Sequence, residues 1–164
     1  MLILADTMRN ISFSKLMDVY IEGNMENAED LWPELSEGQK LFRAEQEFYQ
    51  YLNEVFFRTP NAVYAIWEED GKYISALRLE PYREGLLLEA LETAPIYRRQ
   101  GFAEKLMLSV LDKFSDTKIY SHVSKRNLPS LRIHEKCGFR RILEYAAYID
   151  GSVNRRCCTL CLGD

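Results

Sequence analysis

The sequence predicts one mixed α/β (α+β) domain. Three observations carry this. Segments with apolar residues at helical spacing alternate with short, strand-length apolar runs, and the strand-like runs prevail in the second half. The dipeptides Asp70-Gly71 and Asp150-Gly151 lie between such runs, where they favour tight hairpin turns. The length, 164 residues, suits a single domain over 1–164. No internal repeat, low-complexity segment or linker divides it.

In chain order, Met1 to Thr7 reads as a first strand. Ser12 caps a helix whose Phe13, Leu16, Met17 and Tyr20 follow helical spacing. Ser36 and Gln39 form a capping-box pattern, because a hydroxyl and an amide three residues apart satisfy each other's backbone donors. The helix they open is expected to carry Leu41, Phe42, Phe48, Leu52, Val55 and Phe56 inward, ending at Thr59-Pro60-Asn61. Ala62 to Glu68, Tyr73 to Tyr82 and Leu86 to Thr93 form a three-strand meander. Gln100 to Phe114 is an amphipathic helix burying Phe102, Leu106 and Val110. Lys118 to Val123 is a strand, and Ser130 to Cys137 a short helix stopped by Gly138. Arg140 to Ile149 and Val153 to Leu162 close the chain as two strands joined at Asp150-Gly151.

Composition excludes several classes. Hydrophobic residues make up 47% and charged residues 28%, an ordinary globular balance that argues against disorder. With 21 basic and 25 acidic residues the net charge is −4, which disfavours general nucleic-acid binding. The N-terminus is apolar for only five residues and lacks the basic flank of a signal peptide. The longest apolar run elsewhere, Ala62 to Trp67, falls far short of the roughly 20 residues of a membrane helix. A cytoplasmic protein is expected, with Cys137, Cys157, Cys158 and Cys161 as free thiols.

The segment richest in chemistry runs from Leu91 to Lys105. A strand ends, a loop with Arg98, Arg99 and Gly101 follows, and a helix begins. A helix N-terminus carries unpaired N–H groups and partial positive charge, so it attracts anions. Gly101 lets a phosphate approach the backbone, and Ala103 keeps the next turn slim. The physics suggests a diphosphate site; the plainer alternative is a strand–loop–helix connection with surface arginines.

A second segment, Asn127-Leu128-Pro129-Ser130 through His134 to Gly138-Phe139, bears on that choice. Together with Arg98-Arg99-Gln100-Gly101-Phe102-Ala103, which matches a Q/R-x-x-G-x-G/A pattern, it resembles the GCN5-related N-acetyltransferase (GNAT) family. The resemblance covers at least Ala62 to Phe139. It implies a mostly antiparallel central sheet flanked by helices, in which Leu86–Thr93 splays from Lys118–Val123 to leave a wedge for acetyl-CoA. It also implies that pantetheine pairs with the backbone of Leu91 and Thr93, and that Arg98 and the N–H groups of Arg99, Gln100, Gly101, Phe102 and Ala103 hold the pyrophosphate. Asn127 and Ser130 would contact the CoA arm. The implied reaction moves an acetyl group to a primary amine of a small molecule or peptide by direct attack, without metal. A CoA-binding domain without chemistry, or a transferase using another acyl-CoA such as succinyl-CoA, are the alternatives.

Such attack needs a base, because an alkylamine with a pKa near ~10.4 is mostly charged at neutral pH. Glu89 and Glu92 are the nearest carboxylates. Strand alternation puts them on opposite faces unless a bulge intervenes. The leaving thiolate benefits from a proton donor. The family usually has a tyrosine where this chain has His134, whose imidazole is a competent donor. His122, in the strand flanking the wedge, is a further candidate base beside its plainer reading as a structural residue. Glu22, Glu26, Glu29, Asp30, Glu34 and Glu37 form an acidic stretch that would attract a cationic acceptor, and Trp32 could help shape its pocket. The alternative is a solvated acidic face. Cys158 and Cys161 have metal-pair spacing, but residues three apart on a strand face opposite ways, so no metal is expected. Pairing of the C-terminal strands between subunits would make a homodimer.

Overall fold

The structure is a computed structural model and describes residues 1–163. Its strands are β1 (Leu2–Ala5), β2 (Val63–Glu69), β3 (Lys72–Tyr82), β4 (Gly85–Thr93), β5 (Ile119–Ser124), β6 (Arg140–Leu143), β7 (Ala146–Ala147), β8 (Val153–Asn154) and β9 (Cys157–Leu162). Its α-helices are α1 (Phe13–Leu31), α2 (Glu37–Glu54), α3 (Phe102–Lys113) and α4 (Leu128–Lys136). Seven strands form one sheet in the order β1-β2-β3-β4-β5-β9-β6, and β7-β8 is a separate ribbon. Every neighbouring pair is antiparallel except β4–β5. Among the described residues no helix is long and apolar enough to cross a membrane.

Each face of the sheet has its own core. Leu77, Leu79 and Leu88 point toward Leu106, Met107 and Val110 of α3. Tyr64, Ile66 and Ala76 point the other way, toward Leu16 and Tyr20 of α1 and Leu52 of α2. Strand periodicity supplies both apolar sets, because alternate side chains leave opposite faces. The capping box at Ser36 and Gln39 forms as expected.

Three expectations need correction. Arg140–Ile149 and Val153–Leu162 are not continuous strands. Each leaves the main sheet partway, and the β7–β8 ribbon projects beyond it with Ile149 and Val153 exposed. Phe42 is 69% exposed, because it lies roughly 120° around α2 from Phe48. Val55 is exposed because it stands past the end of that helix.

Two features of β4 position the site. At its start, Leu86 N–H donates to the Lys118 carbonyl at 2.9 Å. A Cβ on Gly85 would stand 2.0 Å from that same carbonyl oxygen, so only glycine permits this approach. The ladder then runs through Leu86↔Ile119, Leu87↔Tyr120 and Leu88↔Ser121 and stops. Beyond it, β4 and β5 part. The second feature is a bulge. Arg78 pairs with Glu89 but Ala76 pairs with Glu92, leaving Ala90 and Leu91 across from Leu77. Ala90 has a positive φ, +53°, and its carbonyl accepts a 2.7 Å bond from the buried Tyr20 hydroxyl of α1.

Candidate active site

A cavity of about 640 Å³ opens where β4 and β5 separate. Its wall includes the start of α3. Arg99 and Gly101 adopt left-handed backbone, with φ of +60° and +83°, and turn the chain into the helix. Lys105 is the first residue whose N–H reaches a helical carbonyl, that of Gly101 at 3.0 Å. Ahead of it, the N–H groups of Arg99 to Glu104 meet no protein acceptor among the described residues. Six adjacent donors and a helix dipole make an anion cradle.

Leu91, Thr93, Arg98, Arg99, Gly101, Phe102 and Ala103 all line this cavity, as do Asn127 and Ser130 across it. Gln100 does not; its side chain donates to the Ile96 carbonyl at 3.1 Å. The Asn127 side chain is already used, since its Oδ1 caps α4 by accepting from Ser130 N–H at 3.1 Å. Sequence reasoning missed Gly23, Tyr97, Glu104, Pro129 and Ile133, which also line the wall. None of these carries a motif of its own.

His134 lies behind the wall. It is 1% exposed, and both ring nitrogens are occupied. Nδ1 is 2.8 Å from the Ser130 carbonyl and Nε2 is 2.8 Å from Ser121 Oγ. A carbonyl only accepts, so Nδ1 carries the proton; Ser121 Oγ has a single proton, for which Nε2 and the Leu88 carbonyl, 3.0 Å away, compete. Burial pushes the imidazole pKa down, against a smaller upward pull from the Ser130 bond, and favours this neutral form. Ser121 is the last β5 residue paired with β4. The histidine therefore braces the point where the strands part.

The bulge intervenes between the two candidate bases. Glu89 and Glu92 both face the α1/α2 side, yet in different cavities. Glu92 lines the larger one. Burial raises its carboxyl pKa; Arg98 opposes the rise, while Glu22 and Glu26 add to it. Glu89 lines a second cavity of about 420 Å³, with Glu80, Tyr82, Leu87, Tyr148, Ile149, Asp150 and Ser152. Burial pushes the Glu89 carboxyl up to about 7, opposed by Arg78 and assisted by Glu80. Its Oε1 is 3.5 Å from Arg78 Nε in an ion pair whose orientation gives no hydrogen bond.

His122 stands edge-on between the rings of Tyr82 and Tyr148, each 5.3 Å away, and burial lowers its pKa. Within the acidic stretch only Glu22 and Glu26 reach the larger cavity. Glu29, Asp30, Glu34 and Glu37 are exposed. Trp32 lines neither cavity and stacks beneath the Arg43 guanidinium, 4.4 Å from its ring centre. Cys158 and Cys161 enter cores on opposite faces of the sheet. Among the described residues no group of three or more His, Cys, Asp or Glu is placed to hold a metal ion.

A model of the acetyltransferase (GNAT) family matches residues 24–139. The chain belongs to that family. Solved structures share its fold at low identity. The PaiA N-acetyltransferase of Thermoplasma acidophilum, solved with coenzyme A, has a TM-score of 0.65 at 14% identity, over 100% of this chain and 99% of that one. Pyrococcus horikoshii PH1933 has a TM-score of 0.68 at 12% identity, with the same coverage of both chains. The ribosomal-protein-S18-alanine N-acetyltransferase of Escherichia coli has a TM-score of 0.60 at 15% identity, over 99% and 93%. No curated protein matches. The expected GNAT architecture, a mostly antiparallel sheet flanked by helices, is the one observed.

Proposed function

We propose that this GNAT protein transfers an acetyl group from acetyl-CoA to a primary amine by direct attack. The observation that carries the reading is the parted β4–β5 seam with the unpaired N–H mouth of α3 in its wall. In this reading Arg98 and the backbone of Arg99 to Ala103 hold the diphosphate. Leu91 and Thr93 offer β4 backbone to the pantetheine, and Asn127 and Ser130 bound its path. Acetyl-CoA supplies an activated thioester. Similarity to a neighbour solved with coenzyme A supports the donor class.

The amine enters through the smaller cavity on the α1/α2 face. Glu80, Glu89 and Asp150 give that cavity acidic character, and Tyr82, Tyr148 and Leu87 give it apolar walls. This lining suits a cationic amine on an apolar body. Glu89 takes the ammonium proton, because a carboxyl near pKa 7 still ionises at neutral pH and holds a proton better than an ordinary glutamate. The amine nitrogen then bonds the thioester carbon, the C–S bond breaks, and the leaving thiolate takes up the proton that the nitrogen sheds as it becomes an amide. Backbone N–H at the bulge offers a donor to the carbonyl oxygen. His134 acts through Ser121, as a positioning residue.

The test is thiol release from acetyl-CoA with spermidine, amino acids, aminoglycosides and basic peptides as acceptors. Acceptor-dependent release, strongest with cationic amines, is expected. Donor binding without such release replaces this reading with a binding-only protein. Competition between acetyl-CoA and succinyl-CoA decides the acyl group.

A further inference from the structure

Arg98 lies at the junction of three elements. One of its terminal nitrogens pairs with Glu22 of α1. The other is 3.7 Å from Glu92 of β4. Its Nε donates to the Thr93 carbonyl at 3.2 Å. α1 runs beside this pair at Gly23, where a Cβ would stand 3.7 Å from Glu92 Oε1, in ordinary contact. One guanidinium thus serves two carboxylates, and the trio carries one net negative charge. Glu26 of α1 adds another acid to the same wall, Arg99 adds a cation, and Glu104 is tied to Lys136 at 2.6 Å.

This wall is shared with the anion cradle of α3. A diphosphate arriving there carries more charge than a carboxylate and suits the planar fork of arginine. The side chains holding Arg98 are between one-third and one-half exposed, so the existing pairs are screened and weak. Once the guanidinium turns to the phosphates, Glu22 and Glu92 face each other, and Glu26, without their counter-ion. Burial, Glu22 and Glu26 already raise the Glu92 carboxyl against the pull of Arg98, so departure of the guanidinium raises it further.

We infer that Glu22 and Glu92 hold Arg98 in a waiting position from which the donor's diphosphate draws it, so that donor binding takes a proton onto Glu92. The inference rests on the donor half of the reading above. It makes Glu22, to which no motif points, a positioning residue. It also makes donor loading sensitive to pH through groups that never touch the reacting atoms.

Calorimetry tests it on the whole protein. Acetyl-CoA binding is measured at about pH 6.5, near neutrality, in buffers of different ionisation enthalpy. Wild type is expected to take up a substantial fraction of a proton per donor. Glu22→Gln and Glu92→Gln are each expected to lose most of that uptake and to bind the donor about two- to fivefold more tightly, since Arg98 is released from one weak pair. Dephospho-coenzyme A, which lacks the separately titrating monophosphate, is expected to give the wild-type uptake. A wild-type protein that binds acetyl-CoA with no uptake overturns the inference and leaves the donor reading standing. Uptake that persists unchanged in both glutamine variants does the same. Absence of any binding by folded wild type overturns the inference and the donor reading together.

Discussion

The seam between β4 and β5 has two ends built on opposite rules. At the closed end Gly85 yields all side-chain volume so that the backbone of β4 meets that of Lys118. At the open end the backbones separate, and side chains from α1, α3 and α4 line the space. The sheet hydrogen bonds that fix one end are absent at the other, where backbone polarity becomes available to a ligand. A rigid closed end sets how far the open end gapes, so binding geometry is inherited from packing some distance away. Ser121 and His134 stand at the boundary between the two.

The comparison can be broken most severely at the closed end. Gly85→Val drives a side chain into the Lys118 backbone, which cannot yield as a flexible side chain would. A loss of about 3 kcal/mol is expected from such overpacking, read as a lower urea midpoint. Glu89→Gln, on the acceptor side of the open end, should lower kcat about 100-fold with the fold intact. Wild-type activity is expected to rise with pH through about 7, because the base works only when deprotonated and Glu89 titrates there. That limb should vanish in the variant; a superimposable pH profile would remove Glu89 from the mechanism. At the boundary, His134→Ala leaves a cavity and takes one hydrogen-bond partner each from the Ser121 hydroxyl and the Ser130 carbonyl. It should cost about 2 kcal/mol in thermal or denaturant unfolding. The mildest change, Asn127→Ala, removes the α4 cap and should cost about 1 kcal/mol, again by denaturation.

The sequence made the two halves legible to different degrees. The α3 mouth was readable because glycine, arginines and a helix start are local signals, and these residues line the larger cavity. The meander was readable because Asp70-Gly71 and alternating apolar residues specify it. The acceptor side was not. Glu89 and Glu92 could be named, but their directions depend on a bulge set by Tyr20, 70 residues away in sequence from the carbonyl it holds. His134 could be read only as a candidate proton donor at the place where the family usually has a tyrosine. Its burial follows from Ser121, a partner that no helical spacing discloses. Arg98 read as a free cation, whereas tertiary folding brings Glu22 to it from α1.

The unpaired residue in β4 has one more consequence. A strand is a two-beat rhythm, and an added residue shifts every later position to the off-beat. Deleting Ala90 would restore the beat, leaving Leu91 alone across from Leu77 and Glu92 still across from Ala76 on the α1/α2 side. The Arg98 trio would then keep its members, while the Tyr20 hydroxyl of α1 would lose the Ala90 carbonyl that now receives it.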